Sequence, residues 1–118
     1  MAKRPARPKL SDAFRQMALS MPGAVEGAHM GHADFRAGRI FATLNQDESL
    51  GVVMLTPEEQ REFVQTRPSV FVPVNGGWGA RGATHVKLDK ADETDIHEAI
   101  STAWRRIAAK SKGRAPSK

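Results

Sequence analysis

The chain contains no cysteine. That excludes disulfides, thiolate nucleophiles and every cysteine-ligated zinc or iron–sulfur site, and it fits a reducing compartment. No apolar run approaches the roughly 20 residues needed to span a bilayer, and no hydrophobic stretch follows the N-terminal basic residues as a secretory signal would require. The expectation is a soluble, intracellular, cytoplasmic protein with no membrane partner. Neither GxGxxG nor GxxxxGK[ST] occurs, and no serine stands in a GxSxG elbow. Glu58, Glu59 and Glu62 are placed to cap and charge a helix, and the sequence sets no partner carboxylate against them for acid–base work. No catalytic residue is assigned, and no cofactor is expected.

Acidic side chains are also missing from both ends. Residues 1–10 carry Lys3, Arg4, Arg7 and Lys9, and residues 110–118 carry Lys110, Lys112, Arg114 and Lys118. The formal charge of +5 over 118 residues belongs to those ends, because residues 11–109 hold ten Lys and Arg against thirteen Asp and Glu, a net of −3. Basic arms gain salt-sensitive affinity for nucleic acid without reading its sequence. The division predicts flexible basic tails at 1–10 and 110–118 around a single domain at 11–109, small but able to bury roughly 60 to 70% of its unfolded surface.

What is present is a clear series of elements. Ser11 caps a helix through Ser20, with Phe14, Met17, Ala18 and Met21 on one face and Pro22-Gly23 as the stop. Residues 24–55 alternate as a meander: Val25 to Met30, Asp34 to Arg36, Arg39 to Leu44 and Leu50 to Leu55, with Ala37-Gly38 as a hairpin turn. Thr56-Pro57-Glu58-Glu59 combines an N-cap, a proline at the first helical position and a capping-box glutamate, predicting a helix to Thr66 that buries Phe63. Residues 70–73 form a short edge strand ending at Pro73, and Thr84 to Leu88 turns Val86 and Leu88 inward and His85 and Lys87 outward. From the cap Asp92, the stripe of Ile96, Ala99, Ile100, Ala103, Trp104 and Ile107 makes the strongest helix. Helices segregated from a mainly antiparallel sheet predict a two-layer α+β domain with the first and last helices on one face. A winged helix competes, but it needs another helix where residues 24–55 read as strands.

Three groups of residues can carry chemistry. The run Gly76-Gly77-Trp78-Gly79-Ala80-Arg81-Gly82 reads as a glycine-rich loop whose amides and Arg81 can meet an anion, or whose glycines let Trp78 fold against the sheet. Arg36 and Arg39 flank the Ala37-Gly38 turn as a basic hairpin tip suited to phosphates. His29-x-x-His32-x-Asp34 has metal-capable side chains, but on a strand positions 29 and 32 face apart unless Gly31 turns the chain; no metal is assigned. Arg36, Arg39, Arg81 and Lys87 are the nucleic-acid candidates. His29, Trp78, Arg81 and His85 are the candidates for a small-ligand rim, with His29 and His85 expected within about 12 Å of each other beside Trp78, close enough for one small ligand to join them.

The segments FRQMALSMPGAVEGAHMGHADFRAGRIFATL and LTPEEQREFVQTRPSVFVPVNGGWGARGATHVKL, with AWRRIA in the last helix, resemble the MmcQ/YjbR-like family across residues 11–109. Positions matching its pattern are Pro22, Gly23, Glu26, His29, Phe35, Phe41, Thr56, Pro57, Glu59, Gln60, Phe71, Pro73, Trp78, Gly79, His85, Lys87, Leu88 and Trp104. Ala83 departs from it, standing where many relatives carry an aromatic or basic residue. The resemblance implies a frataxin-like α+β fold and a DNA-binding role through protruding hairpins, and some members carry a formyltransferase-like label. The expected function is weakly specific DNA binding through the basic hairpin and tails. The alternative is a non-enzymatic small-ligand or protein-interaction module using the Trp78, Arg81, His85 and His29 rim. The partners to expect are DNA or a small anionic ligand, met by a monomer, with a homodimer as the alternative.

Overall fold

Strand alternation decides which side of the sheet is dry. In the computed structural model, which describes residues 10–29, 31–46 and 48–114, the order is α1 (Leu10–Ser20), β1 (Val25–His29), β2 (His32–Ala37), β3 (Arg39–Leu44), β4 (Leu50–Met54), α2 (Pro57–Thr66), β5 (Phe71–Pro73), α3 (Gly76–Ala80), β6 (Ala83–Lys87) and α4 (Glu93–Arg114). The strands form one six-stranded antiparallel sheet in the order β1-β2-β3-β4-β6-β5. Phe35 stands opposite Ala42, Ala42 opposite Val53, and Val53 opposite Thr84. A second row runs Leu44, Gly51, Val86 and Phe71. Both rows are buried and face the helices.

The register shifts at Phe35/Arg36, so that Ile40 pairs with Arg36 and Ala42 with Phe35 while Phe41 has no opposite number. The bulge lets Phe41 and its neighbour Ala42 both enter the core. α1 and α4 pack on each other across β3 and β4, and α2 lies against β5, where Phe63 meets Phe71 edge-on at 4.9 Å. The domain is α+β, with α1, α2 and α4 on one face of an antiparallel sheet. The stripe read from the sequence supplies that face, since Ile96, Ala99, Ile100, Ala103 and Ile107 are all buried, while Trp104 is half-buried and donates its indole N–H to the Pro22 carbonyl at 3.0 Å.

The local signals held at the α2 start, where the Thr56 hydroxyl accepts from the Glu59 amide at 3.1 Å and the Glu59 carboxylate accepts from the Thr56 amide at 2.9 Å. Asp92 and Asp95 exchange the same pair of bonds at the α4 start. Three expectations change. Ser11 lies inside α1 as one of its buried residues rather than at its N-cap. Gly76–Ala80 is one turn of helix rather than a loop, and α4 stays helical to Arg114, so the expected boundary at 110 falls inside a helix. Residues 1–9 and 115–118, which held most of the expected tails, lie outside the described residues, as does Met30.

Candidate functional site

Gln60 ties α2 to the turn that carries the exposed tryptophan. Its buried side-chain amide donates to the carbonyls of Gly79 and Ala83, both at 3.0 Å. Around it, the Val74 amide donates to the Ala83 carbonyl, the Leu55 amide to the Gly82 carbonyl at 3.3 Å, and the Thr84 hydroxyl to the same Gly82 oxygen at 2.8 Å. Two glycines make this packing possible. A Cβ on Gly79 would stand 1.5 Å from the Val74 oxygen, and one on Gly82, at φ +116°, would stand 1.9 Å from the Leu55 oxygen. Backbone crowding, not helix propensity, forms α3 from a segment this rich in glycine.

Trp78 projects from the outside of that knot. It is 64% exposed, more than any other large hydrophobic side chain among the described residues, and the Arg81 guanidinium lies 5.9 Å from its ring centroid in a cation–π contact. Together they wall a cleft of about 320 Å³ at one end of the sheet. Ile40, Met54, Leu55, Ala83 and Ile107 give it an apolar floor, and Arg39, Arg81 and Arg106 line it with positive charge. No described carboxylate lines the cleft, and none of these three arginines has an ion pair or side-chain hydrogen bond among the described residues. Eight carboxylates of the 11–109 segment, Glu58, Glu59, Glu62, Asp89, Asp92, Glu93, Asp95 and Glu98, lie instead on α2 and around the α4 start.

The nucleic-acid candidates therefore divide. Arg39 and Arg81 meet in the cleft, joined by Arg106, which the sequence did not single out. Arg36 is bound to Asp34 at 3.2 Å on the helix-free face of the sheet. Lys87 stands opposite Leu50 near the far end of β6, about 13 Å along the strand from Ala83.

The expected rim is corrected more sharply. Trp78 and Arg81 come together, but the backbone of His29 ends the edge strand β1, while His85 lies in β6 with β2, β3 and β4 between them. Four strand spacings put the two backbones about 19 Å apart, so the sheet does not set His29 and His85 side by side as expected. The cause is strand order: β6 joins the sheet on the side of β4 opposite to the meander that begins with β1. Gly31, at φ +85°, does make the turn that pairs His29 with His32, yet Asp34 is engaged by Arg36. Among the described residues no three His, Asp or Glu side chains are grouped to hold a metal, and no helix is long and apolar enough to cross a membrane.

His85 sits on the helix-free face between Val52 and Val72, its Nδ1 buried without a hydrogen-bond partner among the described residues. Burial, and then the charge of Lys87, lowers its pKa below the ordinary imidazole value of 6.5. An unfolded chain therefore binds this proton more readily than the folded one. Stability from the neutral ring is complete above 6.5 and is lost as the pH falls through 6.5 toward the lower folded value. Denaturant midpoints of the parent should drop relative to those of His85→Leu as the pH is lowered below 6.5; parallel curves would show that the ring titrates alike in both states.

Comparison with known proteins adds a family and a fold. A family model described as YjbR matches residues 19–106. The fold is similar to the crystal structure of Deinococcus radiodurans protein DR2400, described as a DUF419 domain, with a TM-score of 0.69 and 19% identity over 88% of this chain and 80% of that one. At that identity the likeness concerns the fold alone. No curated protein matches.

Proposed function

We propose that this chain, which belongs to the YjbR family, binds nucleic acid weakly and with little sequence preference, holding phosphates with Arg39, Arg81 and Arg106. DNA binding is the role that the family resemblance implies, and the observation that carries it here is the cleft: three arginines converge from β3, the α3 turn and α4 with no carboxylate of the described residues among them. Guanidinium groups left without acidic partners gain most from a phosphate, because no existing ion pair must be broken first. The net −3 of residues 11–109 does not oppose this, since the negative charge is concentrated on α2 and the α4 start. Arg36, held by Asp34, and Lys87, at the other end of β6, give at most peripheral contacts. The basic ends add sequence-independent attraction.

Salt dependence separates the cleft from the ends. Each phosphate neutralised contributes about 0.7 to 0.9 to the slope of log affinity against log salt concentration. Replacing Arg39, Arg81 and Arg106 together with Gln should lower that slope by about 2 to 3 in the full chain. Replacing Lys3, Arg4, Arg7 and Lys9 with Gln serves as the comparison. Should the triple variant keep the parent slope while the N-terminal variant loses all binding, the affinity resides in the basic end and the cleft plays no part.

A further inference from the structure

We infer that the cleft selects single-stranded over duplex nucleic acid, with Trp78 as the platform for an unstacked base and the arginines on the phosphates beside it. The inference rests on the nucleic-acid reading above and adds the form of nucleic acid recognised. Phosphate attraction alone needs no aromatic group, yet the most exposed large hydrophobic side chain of the described structure stands at the mouth of the arginine cleft. Leaving an indole 64% in water forgoes the gain of burying it, and the backbone that carries it is anchored. Its helical turn is fixed from behind by the two Gln60 bonds and by the contact of Gly79 with Val74, so the platform is in place before any ligand arrives.

The chemistry of the occupant follows from what surrounds the ring. Every base presents a flat π-face, but in a duplex those faces are covered by neighbouring pairs and only base edges reach a protein. A single strand can turn one base out onto Trp78, set its edge against the apolar floor of Met54, Leu55 and Ile107, and leave its phosphates toward Arg81 and Arg39. Arg81 lies over one face of the indole, 5.9 Å from the ring centroid, so a base takes the opposite face and the ring is held between base and cation. A volume of about 320 Å³ lies at the small end of ligand pockets, which suits one base and its backbone rather than a helix of base pairs.

The test compares a short labelled oligothymidylate with a labelled duplex of equal length, using fluorescence anisotropy on the full chain. The parent should bind the single strand roughly tenfold more tightly, and Trp78→Ala should remove about that factor for the single strand while leaving duplex affinity within about twofold. Trp78→Phe should restore most of the loss. Oligothymidylate should also quench the parent's tryptophan emission, whereas the emission left in Trp78→Ala, from Trp104, should not respond. Equal affinity of the parent for the two forms, or an equal loss of both in Trp78→Ala, would overturn the single-strand inference and leave nucleic-acid binding standing. Failure of the parent to bind either probe at low salt would overturn both.

Discussion

Ile100→Asp should abolish the cooperative thermal transition of the domain at neutral pH. Ile100 is fully buried on α4, within the cluster that includes Phe14, Phe35, Phe41 and Leu44. A carboxylate there meets no cation in that cluster, and bringing it into apolar surroundings, charged or protonated, costs several kcal/mol on top of the lost isoleucine contacts. A domain of this size has about 5 to 15 kcal/mol in total, so one such change consumes much or all of it. Circular dichroism during heating reads the result, with Ile100→Val as the control that should cost about 1 kcal/mol and keep the transition. A cooperative melt of the aspartate variant near the parent temperature would show that α4 does not seat this residue in the core.

Gly82→Ala should cost about 3 kcal/mol or more and disable the cleft together with the fold around it. Two independent penalties meet at this residue. Its φ of +116° lies where residues with a Cβ are strained by roughly 1 to 3 kcal/mol, and the new Cβ would point at the Leu55 carbonyl oxygen from 1.9 Å. Relief requires β4 and the α3 turn to part, which breaks the Leu55-to-Gly82 hydrogen bond and displaces Arg81 next to it. Gly77→Ala is the contrasting substitution: nothing lies within 4 Å of its added Cβ and its φ is ordinary, so it should be neutral or stabilise by up to about 1 kcal/mol. Urea midpoints of the two variants measure the difference. Equal midpoints would mean that the turn yields without resistance.

The elements that were legible in the chain are those whose determinants lie within a few residues. The capping box at Thr56 and Glu59, the alternation of Val86 and Leu88 with His85 and Lys87, and the stripe from Ile96 to Ile107 each follow from spacing alone. The α3 turn was hidden because its cause is tertiary: Gln60 and the Val74 and Leu55 carbonyls close around glycines that would otherwise favour a loop. The cleft was half visible. Trp78 and Arg81 are near neighbours in the chain, but Arg39 and Arg106 reach them through strand order and the length of α4, which no local pattern encodes. The same strand order separated His29 from His85, although both stand near glycine-containing turns.

Helix α4 gives the domain an electrical front and back. Glu93, Asp95 and Glu98 occupy its opening turns and Arg105 and Arg106 lie about two to four turns further on, a separation of roughly 10 to 20 Å along one rod. If the proposed nucleic-acid ligand is the partner, its field would exert a torque as well as a force on this arrangement and favour approach by the arginine end. On that reading the negative excess of residues 11–109 would disfavour encounters on the acidic side of α4, so that a phosphate backbone meets the arginine cleft more often than the acidic face.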